Sequence, residues 1–172
     1  MASLKNMRNT AVGLILLLTL SACFENNDDV DDNNNPGLRG YVMLDVYKSP
    51  TCACCGKWVE HMASNGFYAQ THDTADLAAI KTQYGISPQY RSCHTAVSSQ
   101  GHVFEGHVPA RFIHQFLGES HDNAIGLAVP AMPLGSPGME VGDKFMPYQV
   151  LILNKDGSSE VYANVDAMED QH

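Results

Sequence analysis

An α/β domain is what this sequence predicts. Three observations carry the prediction: apolar alternation over residues 41–47, a helical spacing of apolar residues directly after a cysteine cluster, and further strand and helix patterns in alternation beyond them. Val42, Leu44 and Val46 alternate with Met43 and Asp45, as in a half-buried strand, and Ser49-Pro50-Thr51 breaks it. Residues 57–65 place Trp58, Val59 and Met62 at helical spacing before Gly66, so the cysteines sit at a helix N-terminus. A short strand is expected near 67–71. Leu77, Ile80 and Tyr84 predict a helix over 74–84, stopped by Gly85. Residues 93–98 and 102–107 flank Ser99-Gln100-Gly101 as a hairpin, and Pro109 opens a helix through Phe112, Ile113, Phe116 and Leu117. Residues 124–144, rich in Gly, Pro and Met, lack a period and are expected to form an ordered loop. A last hairpin, 148–153 with 160–165, turns at Asp156-Gly157.

The order β-α-β-α-β-β-α resembles the thioredoxin fold, in which a cysteine motif caps the first helix and the loop entering the third strand lies beside it. Cys93 occupies that loop in this alignment. Two hairpins compete for the central sheet, and the pattern does not choose between them.

The chain has 172 residues, 44% hydrophobic and 17% charged, the composition of a globular protein. Its formal net charge of −9 excludes an electrostatic footprint for nucleic acid. Eight His, eight Met and five Cys are a surplus of soft and borderline metal ligands. Lys5 and Arg8, an apolar run over 11–20 and then Leu20-Ser21-Ala22-Cys23 have the layout of a secretory signal, with an apolar run too short to span a bilayer. The Leu-Ser-Ala-Cys ending resembles the bacterial lipobox, which implies removal of residues 1–22 and lipidation of Cys23. Cleavage removes two positive charges and no negative ones, taking the net charge from −9 to −11. Residues 24–40, with Glu25, Asp28, Asp29, Asp31, Asp32 and Asn33 to Asn35, read as an acidic disordered tether holding a single domain, 41–172, off a membrane. The expected address is the periplasm. Phe24 is unlike an aspartate inner-membrane retention signal, which points to the outer membrane.

Cys52-Ala53-Cys54-Cys55 packs three thiols into four positions, giving both C-x-C and C-x-x-C spacings. A helix N-terminus favours thiolates, which attack disulfides or bind metals. Two chemistries therefore compete. In the first, Cys52 and Cys55 form a metal-free thiol-disulfide oxidoreductase pair, against which Cys54 weighs as a rival partner. In the second, the triplet and Cys93 supply up to four sulfurs to a soft metal, enough to bridge more than one ion. Zinc sites usually take two separated ligand pairs, whereas Met132 and Met139 add thioether softness, so copper is favoured. A third reading is a disulfide-stapled envelope lipoprotein, with Cys93 bonded to one of the triplet.

Four ordered segments, 47–58 around the cysteine triplet, 92–96 (Ser-Cys-His-Thr-Ala), 105–110 (Glu-Gly-His-Val-Pro-Ala) and 126–140, resemble the CopG-type copper-resistance proteins over about residues 41–165. The resemblance implies a thioredoxin-like fold, copper binding through cysteines, and a role in copper tolerance or copper redox handling. Cys52, Cys54, Cys55 and Cys93 match the family's cysteines, and His94 comes directly after the last of them. Ala53 and Ala131 stand where glycine is common in the family.

The expected function is thus a periplasmic Cu(I)-binding protein of copper resistance with ligands Cys52, Cys54, Cys55, Cys93, His94, Met132 and Met139. Its expected partners are copper ions, a membrane through the lipid anchor, and a periplasmic copper carrier or exporter. His107 reads as a capping or core-polar residue ahead of a ligand, and His61 as a satisfied, partly buried histidine. Met43, Met62 and Met146 fit core positions. No Ser-His-Asp order, phosphate-cradling loop or carboxylate pair supports a hydrolase or a nucleotide enzyme.

Overall fold

A computed structural model describes residues 40–172. The signal segment, Cys23 and the acidic tether lie outside the described residues. The chain runs through ten elements: β1 (Val42–Lys48), α1 (Ala53–Ser64), β2 (Phe67–Asp73), α2 (Leu77–Gln83), β3 (His94–Ser98), β4 (Val103–Glu105), α3 (Ala110–Gly118), β5 (Ala124–Ala128), β6 (Tyr148–Asn154) and β7 (Ser159–Val165). Short 3-10 turns occupy Pro88–Tyr90 and Met168–Gln171. The strands form one mixed sheet of order β2-β1-β3-β4-β5-β6-β7. The β1–β2 and β4–β5 pairs are parallel and the others antiparallel. Among the described residues, no helix is long and apolar enough to cross a membrane.

Every residue of β3 is buried, because both faces of the sheet are covered. One face carries the main core, in which Trp58 and Met62 of α1 and Phe112, Ile113 and Phe116 of α3 pack on Leu44, Val46, Ala96 and Phe104. The spacing of Cys55, Trp58 and Met62 confines burial on α1 to one stripe and carries Cys55 inward with the core residues. The Trp58 indole N–H donates to the Val108 carbonyl at 2.9 Å, satisfying the polar tip of a fully buried side chain. The opposite face holds a smaller cluster of Ile86, Val97, Val103, Ala128 and Leu153.

Both hairpins belong to the same sheet, joined through β5. This strand corrects the expectation of a loop over 124–144, since residues 124–128 form a strand whose Gly126 to Ala128 pair in parallel with β4, and the irregular segment is 129–147. Gly126, one of the glycines of the expected loop, is there because the β4 backbone passes so close that a Cβ would overlap the Val103 carbonyl. Helix α2 starts three residues later than expected, because the Asp76 carboxylate caps it by accepting the Ala79 N–H at 3.0 Å. Helix α1 starts earlier, so Cys54 and Cys55 lie inside its first turn and Cys52 is its cap residue. Met62 is buried as expected and Met43 is half-buried, but Met146 is 56% exposed. It sits in the irregular segment before β6, tied by its own N–H to the Leu134 carbonyl, with no sheet face to turn inward.

Ala131 has φ of 62°, the one non-glycine residue with positive φ among the described residues. A left-handed alanine brings Cβ against the following carbonyl, so Ala131→Gly should raise stability by about 1 kcal/mol. Urea unfolding of the reduced protein checks this, and an unchanged or lower stability would contradict it.

Candidate metal centre

The cysteine triplet is held where the loop after β1 turns into α1. The Cys52 N–H donates to the Ser49 carbonyl at 3.1 Å, and the Cys52 carbonyl accepts the Gly56 N–H at 3.3 Å, which starts the helix. Cys52 and Cys55 form a disulfide, while Cys54 and Cys93 are free thiols. The Cys54 sulfur lies 3.5 Å from that of Cys52, and the Cys55 sulfur 3.9 Å from the Cys93 carbonyl oxygen. All four sulfurs lie within 4.8 Å of one another. The disulfide is therefore the C-x-x-C pair, not a link from Cys93 to the triplet.

The second half of the site comes from the β3–β4 hairpin. Its register pairs Thr95 with Glu105, and the Gly106 N–H donates to the His94 carbonyl one step further on. Another step brings Cys93 opposite His107, whose Nε2 lies 3.0 Å from the Cys93 sulfur. His94 Nδ1 is 3.3 Å from the same sulfur. Gly106, directly before His107, bends the chain at φ of 75° where β4 ends, and a Cβ there would meet the Val129 carbonyl and the Ser92 side chain. Cys93, His94 and His107 form a second group of ligand atoms within 4.8 Å, so Cys93 belongs to both groups.

A loop from β5 to β6 closes the site. His107 Nδ1 lies 2.7 Å from the Pro137 carbonyl and must carry the proton that it donates. In the neutral ring this leaves the Nε2 lone pair facing Cys93. Next to it, Gly138 lies so near α1 that a Cβ would stand 2.7 Å from the Cys54 carbonyl and 2.8 Å from the Trp58 nitrogen.

Burial sets the protonation states. It holds His107 below the ordinary imidazole value, against the opposing pull of the Pro137 carbonyl and Glu140, and holds the fully buried His94 well below it, helped by His107 and Lys81. Burial also pushes the Cys93 thiol up to about 12, with Cys54 adding to the effect. Two neutral imidazoles thus face a protonated thiol at neutral pH. His94 Nε2 is buried with no hydrogen-bond partner.

Of the expected ligands, Cys52, Cys54, Cys55, Cys93 and His94 converge. Met132 is 49% exposed, and Met139 is half-buried in the closing loop, beside Gly138. His61 is partly buried and satisfied as expected, its Nε2 accepting the Ala110 N–H at 3.2 Å. His107 is the residue that sequence reasoning undervalues. Its signal lies in the expected hairpin itself, because pairing 93–98 with 102–107 end to end sets Cys93 against His107.

Half-buried thiols and buried neutral imidazoles, close-packed with no carboxylate among the grouped atoms, are the donors of a soft metal rather than of magnesium or calcium. The class of protein so defined is a mixed α/β domain with a cysteine-histidine cluster capable of holding a metal at a helix N-terminus. A family described as "Protein of unknown function, DUF411" matches residues 90–139. Two solved structures, "Copper resistance protein copG- Form 2" and "Copper resistance protein copG- Form 1", each share 40% identity with a TM-score of 0.68. Each comparison covers 73% of this chain and 98% of the other. No curated protein matches. The chain belongs to the CopG family of copper resistance proteins, and its cysteine cluster suits a copper-related function.

This geometry has two testable consequences. Gly138→Ala forces the closing loop off α1, which should cost about 2 kcal/mol or more in urea unfolding, whereas an unchanged midpoint would show that the loop is not packed there. His94 and His107 titrate near 6.5 when unfolded and lower when folded, so the unfolded chain gains protons first as pH falls. Their contribution is complete above about pH 7 and declines below about pH 6.5 as pH falls toward the folded values. Thermal midpoints of reduced, metal-free protein should therefore fall between pH 7.5 and pH 5.5, and a His94→Gln, His107→Gln double variant should flatten that slope.

Proposed function

We propose that this protein binds Cu(I) as cargo in a multi-cysteine site and thereby limits free copper in the bacterial periplasm. The observation that carries this reading is the convergence of four cysteine sulfurs, one of them faced by two neutral imidazoles, in a chain 40% identical to structures named for copper resistance. Thiolates prefer Cu(I), and neutral imidazole accepts it. In this reading Cys52, Cys54, Cys55 and Cys93 hold the metal, His94 and His107 complete its surroundings, and Met132 and Met139 supply thioethers from the closing loop. The membership of Cys93 in both ligand groups supports a bridging sulfur and more than one ion. The strand order β2-β1-β3-β4, with β1 and β2 parallel and α1 leaving the end of β1, supports a thioredoxin-like core extended by β5, β6 and β7. The lipobox-like residues ending at Cys23 support a lipid anchor, in the outer membrane by the reading of Phe24, with exchange of copper with a periplasmic carrier or exporter.

The Cys52–Cys55 disulfide favours a second reading, thiol-disulfide exchange by that pair. The two readings are linked by stoichiometry. Opening the disulfide takes two electrons and two protons and frees two more thiols, so the reduced protein is the form with four sulfurs to offer. Closing it withdraws two ligands and weakens the hold on copper.

Anaerobic loading of the reduced protein with Cu(I), then metal analysis, separates the readings. Tight binding of at least one ion per chain is expected, with loss in Cys54→Ser and in Cys93→Ser and a matching loss of growth in copper. Wild-type stoichiometry and tolerance in both variants would contradict the copper reading. A mixed disulfide at Cys52 that does not need Cys54 would instead establish the oxidoreductase.

A further inference from the structure

We propose that Glu105 is a positioning residue for the metal centre, its carboxylate clamping the chain on both sides of Cys93-His94 while Lys81 balances its charge inside the core. Glu105 is fully buried and the Lys81 side chain is 5% exposed. Glu105 Oε1 accepts from Lys81 Nζ at 2.5 Å and from the Ser92 N–H at 2.5 Å. Its Oε2 accepts from the Thr95 hydroxyl at 2.6 Å, and that hydroxyl accepts from Lys81 Nζ at 3.0 Å. The residue before Cys93 and the residue after His94 are therefore both bound to one carboxylate, which stands two residues before His107 on the paired strand.

A role in packing alone does not account for this arrangement. Apolar side chains of similar volume commonly replace a buried ion pair at no loss of stability, and apolar neighbours are at hand on this face of the sheet, where Ile86, Val97 and Val103 cluster. What an apolar pair could not do is hold the Ser92 N–H and the Thr95 hydroxyl. Ser92 extends the clamp by donating its hydroxyl to the Ala131 carbonyl in the closing loop. Helix α2, the β3–β4 hairpin and the loop are thereby joined around Cys93, so its sulfur is presented to His107 without rearrangement when metal arrives.

The inference rests on the copper reading for its purpose, but its test does not depend on copper alone. In the reduced full-length protein, three quantities are measured: the iodoacetamide alkylation rate of Cys93 by peptide mass spectrometry, Cu(I) affinity by competition with a chromogenic Cu(I) chelator, and the thermal midpoint. The Lys81→Met, Glu105→Leu double variant should stay folded, yet its Cys93 should alkylate several-fold faster and its Cu(I) affinity should drop about tenfold or more. Wild-type values of both in the folded double variant would overturn the proposal. If that variant does not fold, Thr95→Val removes one arm and leaves the ion pair in place. Faster Cys93 alkylation at an unchanged thermal midpoint then supports the clamp, and an unchanged rate overturns it. Should the wild-type protein bind no Cu(I), the copper reading fails while the alkylation rates still decide the clamp.

Discussion

The placement of Cys93 opposite His107, two steps past the last paired residues of the β3–β4 hairpin, is the constraint on which the site depends. It puts a thiol and an imidazole from one hairpin against the N-terminus of α1, where the other three cysteines sit at the cap and in the first turn. Sheet register is specified wherever a face is buried, and here both faces of β3 are buried, so a slip of one residue would exchange the two cores as well as misplace Cys93. The cysteine-histidine cluster and the hydrophobic core are therefore specified by the same pairing.

Around that pairing the fold relies on backbone contacts rather than bulk. The Pro137 carbonyl fixes the His107 tautomer, Gly138 allows the loop to lie on α1, and Gly106 bends the chain out of β4 just before His107. Burial of the two imidazoles and partial burial of the Cys93 thiol disfavour their charged forms, which keeps all three neutral at neutral pH. In the proposed copper reading the neutral imidazoles would be free to bind metal, whereas Cys93 would have to give up its proton, so loading would release protons and be coupled to pH. The disulfide bears on the same site, because only its reduction frees all four sulfurs as thiols.

Much of this was legible in the sequence, for reasons that differ by element. The order of elements through α3 was readable because apolar spacing changes from two to nearly four between strands and helices, and the C-terminal hairpin because Asp156-Gly157 marks its turn. Strand β5 was not, since five residues with a central glycine carry too little pattern, and the glycine answers to Val103 on another strand. The cysteines announced themselves by spacing, but spacing allows several pairings and only the fold shows which sulfurs are bonded. Lys81 and Glu105 carry no sequence signal of burial, since each is tolerated in the core only through the other, 24 residues away. Met146 illustrates the converse, an apolar residue left outside because its segment has no face to bury.

The most direct test of the central claim is copper K-edge X-ray absorption on reduced protein loaded anaerobically with Cu(I), compared with Cys93→Ser. The account predicts a Cu(I) edge with sulfur dominating the nearest neighbours and a nitrogen contribution, and a loss of copper and of sulfur scattering in the variant. Copper surrounded by nitrogen and oxygen alone, or a spectrum and copper content unchanged in Cys93→Ser, would contradict it.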